Sequence, residues 1–125
     1  MANELLDTNI LIDVLRNRRE AVEYFTELSF PSVSAITVAE LFAGVRSDEE
    51  AIVRNFLRTL DVIEISGEIA EKGGFYRRDF GPSHGVDLND AIIAATAEVE
   101  AKSLVTLNRK HFPMLKNILV PYQRT

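Results

Sequence analysis

The chain has 125 residues, with 14 Lys and Arg, 19 Asp and Glu, and no Cys or Trp. We expect one domain spanning 1–125, with a core that needs no cross-links, and the absence of Cys excludes disulfides, thiolate zinc sites and a cysteine nucleophile. The formal net charge of −5 argues against a protein that coats nucleic acids non-specifically, but not against an enzyme that contacts them through a local basic rim.

Apolar strands that alternate with helical patterns predict an α/β fold with a parallel sheet. In chain order, the first predicted elements are a strand at 4–6, a helix from 8 to about 15, a helix at about 21–28, a strand at 31–34 and a helix at 36–44 that is stopped by Gly44. A helix from about 47 to 60, a strand at 62–65 and a helix at 68–80 that ends before Gly81 and Pro82 follow. The last elements are a helix from 88 to about 101, a strand at 103–106, a turn at 111–115 and a strand at 118–120. In such sheets, ligands gather at the carboxyl ends of the strands.

The sequence contains no sign of a membrane segment or a secretion signal. No apolar run approaches the ~20 residues of a helical span. The first residues, MANELLD, carry acids where a signal peptide carries basic residues. We therefore expect a cytoplasmic protein with no membrane partner.

Three acidic residues have unusually apolar surroundings in the sequence. Asp7 lies between an apolar strand and an apolar helix face, Glu40 is flanked by apolar residues, and Asp90 belongs to a mostly apolar helix. Because a buried carboxylate is costly unless it is paired, hydrogen-bonded or metal-bound, we expect the three to converge at one edge of the sheet. The alternative is that Asp7 and Asp90 are helix caps and that Glu40 lies on the wet edge of its helix.

A set of carboxylates in a chain without Cys favours Mg²⁺ or Mn²⁺ over zinc. The corresponding reaction class is metal-assisted phosphoryl transfer or hydrolysis. Two further acids are assigned away from the metal. Asp87 is interpreted as the cap of the helix at 88, with an auxiliary role in the site as the alternative, and Asp13 as a surface residue.

Four stretches, in this order, resemble those of PIN-domain ribonucleases of the VapC toxin type. They are LDTNILID at 6–13, VAEL at 38–41 with Gly44, LNDAIIAATA at 88–97 and VTLNRKHF at 105–112. The resemblance implies a three-layer α/β/α domain with a central parallel sheet. It also implies hydrolysis of RNA with Mg²⁺ or Mn²⁺, leaving 3′-hydroxyl and 5′-phosphate ends, a homodimer, and neutralisation by a small antitoxin protein.

The resemblance also assigns roles to residues. Asp7, Glu40 and Asp90 take the family's acid positions as metal ligands, and Glu40 can in addition position or deprotonate a water. The stretch at 105–112 departs from the family because it carries Asn108 and His111 and no carboxylate. Asn108 can still orient a water or a ligating carboxylate.

Three polar residues are predicted to support the acids by hydrogen bonds: Thr8, Asn9 and Thr106. Arg109, Lys110 and Arg16 are candidate RNA contacts, with a solvated surface as the alternative, and Arg16 could equally pair with an acid of the antitoxin. His84 and His111 are interpreted as structural, with a role as proton donors or RNA contacts as the alternative.

Two other functions are alternatives to the nuclease. A catalytically weak PIN-fold module that binds RNA or protein would explain the missing fourth carboxylate. A receiver-type phosphoacceptor domain would need two adjacent acids after the first strand, which Asp7-Thr8-Asn9 does not supply.

Overall fold

The computed structural model describes residues 3–124, which form a five-stranded parallel sheet and six α-helices. The elements are β1 (Glu4–Leu6), α1 (Thr8–Leu15), α2 (Arg19–Thr26), β2 (Ser32–Ser34), α3 (Ala35–Ala43), α4 (Glu50–Leu57), β3 (Asp61–Ile63), α5 (Gly67–His84), α6 (Leu88–Val99), β4 (Ser103–Val105) and β5 (Ile118–Leu119), with 3₁₀ turns at Ser47–Glu49 and Arg109–His111. None of the helices within this range is long and apolar enough to cross a membrane.

The first strand lies at the centre of the sheet. The strand order is β3-β2-β1-β4-β5, and Leu5 of β1 is in register with Ser32 of β2 on one side and Leu104 of β4 on the other. The chain therefore builds outward from β1 in one direction and then returns to build in the other. The carboxyl ends of β1 and β4 form the switch point at which ligands bind in open α/β sheets.

Alternate side chains along each strand point to opposite faces of the sheet. Leu6, Val33 and Val105 pack with buried residues of α1, α3 and α4, whereas Leu5 and Leu104 pack with buried residues of α6. Because helices cover both faces, the predicted three-layer α/β/α architecture is confirmed.

Helix α5 covers α6 at a close approach that depends on Gly73. A Cβ at this position would lie 2.9 Å from Cδ1 and 3.3 Å from Cα of Ile92. Glycine destabilises the interior of a helix, and its presence at position 73 is explained by the close approach of α6, which leaves no room for a larger side chain.

Several predicted boundaries are wrong. Helix α5 does not end before Gly81 and Pro82 but continues to His84, where Gly85 stops it with φ of +66° and its N–H donates to the Gly81 carbonyl at 2.9 Å. Pro82 removes one hydrogen bond from the last turn of the helix, but Gly85 still caps that turn. A single proline is therefore a poor signal for the end of this helix. Strand β3 lies at Asp61–Ile63 rather than 62–65, and the predicted turn at 111–115 begins earlier, at Arg109.

Asp13 is not the surface residue that the sequence predicts. Only 4% of it is exposed, and its carboxylate accepts hydrogen bonds from Tyr122 Oη (2.7 Å) and from Arg124 Nη2 and Nε (2.7 and 3.0 Å). Arg18 Nε lies 3.9 Å away. The C-terminal segment returns over α1 and supplies these partners, an arrangement that nothing in the sequence around residue 13 indicates.

Candidate active site

Asp7 lies at the switch point, where β1 passes into α1. Its N–H donates to the Val105 carbonyl of β4 (2.8 Å), and its Oδ1 accepts from the Thr8 N–H (2.8 Å) as the helix cap. Its Oδ2 accepts from Thr106 Oγ1 (2.7 Å), and only 6% of the residue is exposed. Asp7 is therefore the cap that the alternative interpretation required, and it is also held at the carboxyl ends of two strands.

Glu40 reaches the same place from α3. Thr8 Oγ1, at the start of α1, donates to Glu40 Oε1 at 2.7 Å. The other oxygen, Oε2, accepts from Asn89 Nδ2 of α6 at 3.3 Å in an exposed position. The side chain of Glu40 thus connects α3 to the first turns of α1 and α6.

Asp90 stands in the first turn of α6. Its N–H donates to Asp87 Oδ1 (2.8 Å), which confirms Asp87 as the helix cap. Its own side chain is 21% exposed, and its Oδ2 lies 3.4 Å from Nδ1 of His111, a residue on the turn that follows β4. The N-terminal turn of α6 and the turn after β4 therefore meet at this carboxylate.

Burial and neighbouring carboxylates raise the pKa of Asp7 and of Asp90. Burial raises the pKa of Asp7 and the charge of Glu40 adds to this, although hydrogen bonds from Thr106 and Thr8 and the charge of His111 oppose it. The pKa of Asp90 is raised to about 7, mainly by burial and also by the charges of Asp87, Asp7 and Glu40, against an opposing effect of His111. The three predicted acids thus lie close enough to repel one another, and a bound cation would relieve this repulsion.

The donor set fits a hydrated hard cation better than a closed cage. Among residues 3–124, no group of three or more His, Asp and Glu side chains is arranged so that it could hold a metal ion. Each oxygen of Asp7 and Glu40 accepts one hydrogen bond, and a carboxylate oxygen can accept two. Mg²⁺ typically keeps several waters and uses one or two carboxylates, which these free acceptor sites would allow. The three-carboxylate ligand set stays a prediction.

Two of the three predicted supporting residues donate a hydrogen bond to one of the acids. Thr8 and Thr106 donate to Glu40 and Asp7 as described, but Asn9 does not fix Asp7: its Oδ1 is buried without a hydrogen-bond partner in the described part of the chain. The reason is helical geometry, because a residue two positions past the cap is turned by about 200° around the axis. Asn108 is exposed, and it contributes its backbone N–H, which donates to Thr106 Oγ1 at 3.0 Å.

Of three residues that surround the acids, Asn89 and Thr37 were not predicted as part of the site, and His111 was predicted only as an alternative. Asn89 contacts Glu40, His111 contacts Asp90, and the buried Thr37 has its hydroxyl 3.0 Å from that of Thr8. A weak signal for Thr37 was its place on α3, three residues before Glu40, because such a pair shares a helix face.

The predicted RNA-contacting residues border the acids on two sides. Arg109 and Lys110 are exposed on the turn that carries His111, and Arg109 Nη2 donates to the Ile118 carbonyl at 3.3 Å. Arg16 lies with Glu40 in a cavity of about 310 Å³ between α1, α3 and α4. Most of this groove is apolar, and its lining residue Ile52 is 62% exposed.

The comparisons with known proteins agree on one family. The PIN domain family model matches residues 5–116. Ribonuclease VapC19 of Mycobacterium tuberculosis (strain ATCC 25618 / H37Rv) is 36% identical over 124 residues, covering 95% of this chain and 99% of that protein. Ribonuclease VapC10 of the same strain is 33% identical over 122 residues, covering 94% and 92%.

Solved structures share the fold over nearly the whole chain. A toxin–antitoxin complex from Klebsiella pneumoniae superposes with a TM-score of 0.84 at 35% identity, covering 97% of this chain and 99% of the other. VapBC2 from Rickettsia felis, bound to a DNA fragment from its promoter, superposes with a TM-score of 0.77 at 26% identity, covering 93% and 95%.

Proposed function

Because the chain belongs to the PIN-domain family and, within it, to the VapC ribonucleases, we propose that it is an endoribonuclease toxin that hydrolyses RNA phosphodiester bonds with Mg²⁺ or Mn²⁺ and is neutralised by an antitoxin. The observation that carries the proposal is that Asp7, the cap of α1, lies near Glu40 of α3 and Asp90 of α6 at the carboxyl end of β1. A catalytically weak binding module has no comparable support, because the relatives are named ribonucleases. Since the proposed substrate is RNA, the proposed place of action is the cytoplasm.

Asp7, Glu40 and Asp90 would hold the cation, one or two of them directly and the others through its bound waters. It would supply a Lewis acid for the scissile phosphate and offset the negative charge that the phosphate oxygens gain in the reaction. Around it, Thr106 and Thr8 fix the two oxygens of Asp7, so that this carboxylate keeps one orientation. This rigidity favours catalysis because the protein does not have to reorganise when the phosphate is attacked.

Glu40 orients the attacking water and accepts a proton from it. Its Oε1 is occupied by the short bond from Thr8, whereas Oε2 has only the longer contact with Asn89 on the exposed side. Oε2 is therefore the oxygen available to a water. Attack in line with the leaving 3′-oxygen then yields 3′-hydroxyl and 5′-phosphate ends. Arg109 and Lys110 contact flanking phosphates from the rim.

The experiment compares the parent with Asp7→Asn and Glu23→Gln, using a labelled RNA at equal Mg²⁺ or Mn²⁺. Asparagine caps helices as well as aspartate does, so Asp7→Asn should keep the fold while cleavage falls by on the order of 10²-fold or more. Glu23 is an exposed acid on α2, and Glu23→Gln should cut at the parental rate. Equal cleavage by Asp7→Asn and the parent would refute the assignment of the site.

We place the antitoxin on the apolar groove beside Glu40. The solved relatives include toxin–antitoxin complexes, and the groove combines an exposed apolar rim at Ile52 with the charges of Glu40 and Arg16. An apolar antitoxin segment with a basic residue for Glu40 fits this surface. Ile52→Asp should weaken antitoxin binding by on the order of 10-fold without slowing free-enzyme cleavage. Phe30→Asp, before the amino end of β2, is the control; an equal loss there would contradict the placement.

A homodimer is part of the proposal and rests on the family resemblance. Phe75 of α5 and Leu88 of α6 are 46% and 53% exposed and offer an apolar surface for it. Sedimentation of the purified chain tests it: a monomer at micromolar concentration would remove the dimer from the proposal.

A further inference from the structure

A buried threonine outside the proposed machinery contacts one of its members. Thr37 of α3 is 0% exposed, and its Oγ1 lies 3.0 Å from Thr8 Oγ1. Thr8 Oγ1 in turn lies 2.7 Å from Glu40 Oε1. The three side chains therefore form a continuous hydrogen-bonded row that ends on the carboxylate assigned above to the attacking water.

Counting protons fixes the direction of this row. A threonine hydroxyl has one hydrogen, and an ionised carboxylate oxygen only accepts. The hydrogen of Thr8 must therefore point at Glu40 Oε1. The short contact between the two hydroxyls then requires Thr37 to donate to Thr8.

The same arrangement occurs at Asp7. Thr106 Oγ1 donates to Asp7 Oδ2 and itself accepts from the Asn108 N–H at 3.0 Å. In both rows an incoming donor occupies the threonine oxygen, so its hydrogen is directed at the acid. At Asp7 that donor is a backbone group, but at Glu40 it is a side chain that a substitution can remove.

We propose, on the basis of the proposed function, that Thr37 is a positioning residue for Glu40 that acts through Thr8. Its hydroxyl polarises and orients the hydroxyl of Thr8. The bond from Thr8 keeps Oε1 of Glu40 tied to α1 and leaves Oε2 for the attacking water. Without Thr37, the Thr8 hydroxyl can rotate and Glu40 loses its fixed orientation.

Thr96 provides a matched control. It is also a threonine with 0% exposure in a helix, but its hydroxyl donates to the Ile92 carbonyl of its own helix (2.8 Å) and contacts Ser34 Oγ (3.3 Å). Replacing it by valine removes a buried hydroxyl without touching the row that ends on Glu40.

The test is a double-mutant cycle on the full chain with the variants Thr37→Val, Thr8→Val and both together, alongside Thr37→Ser and Thr96→Val. We expect Thr37→Val to lower kcat on a labelled RNA by about 10-fold with little change in KM. The effect should shrink to less than about 2-fold in the Thr8→Val background, because Thr37 acts only through Thr8. Thr37→Ser should restore kcat, and Thr96→Val should leave it unchanged. An equal loss in both backgrounds, or an equal loss in Thr96→Val, would overturn the proposal.

A second measurement separates this proposal from the nuclease assignment. The carboxyl carbon of Glu40, observed by ¹³C NMR without added metal, should shift in Thr37→Val and in Thr8→Val but stay in place in Thr96→Val and Thr37→Ser. If the parent cuts no RNA while this pattern is seen, the nuclease assignment fails and the positioning role stands. If the parent cuts RNA but the Glu40 signal is the same in Thr37→Val, the positioning role is refuted.

Discussion

Arg124→Ala should destabilise the protein markedly, although the residue lies next to the C-terminus on a mostly irregular segment. Arg124 makes two hydrogen bonds to Asp13, which is 4% exposed, and Tyr122 makes a third. Breaking a buried ion pair costs ~3–5 kcal/mol, because one charge stays buried without its partner.

The cost here should be smaller. The side chain of Arg124 is 46% exposed, and water screens the pair and can solvate Asp13 after the substitution, so we expect roughly 2–3 kcal/mol of unfolding free energy. For a domain of this size, this corresponds to a fall of about 6–15 °C in Tm.

The pH dependence supplies an independent check. Burial alone would raise the pKa of Asp13, but the hydrogen bonds and charge of Arg124, with smaller effects of Tyr122 and Arg18, hold it below its ordinary value. A carboxylate with a lowered folded pKa stabilises the protein above its unfolded pKa of about 3.9, and loses this contribution as the pH falls through the folded pKa. The difference between the parent and Arg124→Ala should therefore be flat from about pH 5 to 8 and shrink in stronger acid.

Urea unfolding followed by circular dichroism at several pH values measures both quantities. Arg46→Ala is the control, because Arg46 pairs with Asp48 and Glu49 while 76% of its side chain is exposed, and its midpoint should not move. If Arg124→Ala unfolds at the parental urea concentration, or if its deficit stays constant below pH 3, the contribution assigned to the buried carboxylate is wrong.

Three further predictions test the packing and the site. Gly73→Ala should cost about 1–3 kcal/mol in urea unfolding because its Cβ would meet α6 at 2.9 Å, whereas Gly74→Ala, with nothing within 4 Å, should be neutral or stabilising; equal effects would contradict the close approach. Thr106→Val should slow RNA cleavage by about 10- to 100-fold through the lost bond to Asp7, and parental kinetics would rule out this support. Adding Mn²⁺ at about 100 times its Kd should raise Tm, because binding to the folded state then adds about 2.7 kcal/mol to the free energy of unfolding. A rise of the same size in both Asp7→Asn and Asp90→Asn would place the cation elsewhere.

The layers, and the position of Asp7 at the end of a strand, could be predicted from the sequence because their signals are local. Asp7 follows an apolar strand and precedes an apolar helix, so its end-of-strand position could be inferred from adjacent residues. The end of α5 was missed, because it depends on the left-handed conformation of Gly85 rather than on Pro82.

Local sequence patterns cannot predict contacts between distant parts of the chain. Asp13 and Arg124 are 111 positions apart, and Thr8 and Thr37 are 29 apart. Nothing near Asp13 distinguishes it from a solvated acid until the tail is seen to return over α1. The strand order has the same origin, because it depends on pairings between distant strands, such as Leu5 of β1 with Leu104 of β4.

The central position of β1 has a consequence for synthesis of the protein. Asp7 is translated before β4 and before Thr106, whose hydroxyl donates to Asp7 and which lies 99 positions later in the chain. A nascent chain that is abandoned before β4 emerges therefore lacks both the Val105 carbonyl and the threonine that hold this aspartate. The carboxylate pocket can therefore assemble only after β4 and Thr106 have been synthesised.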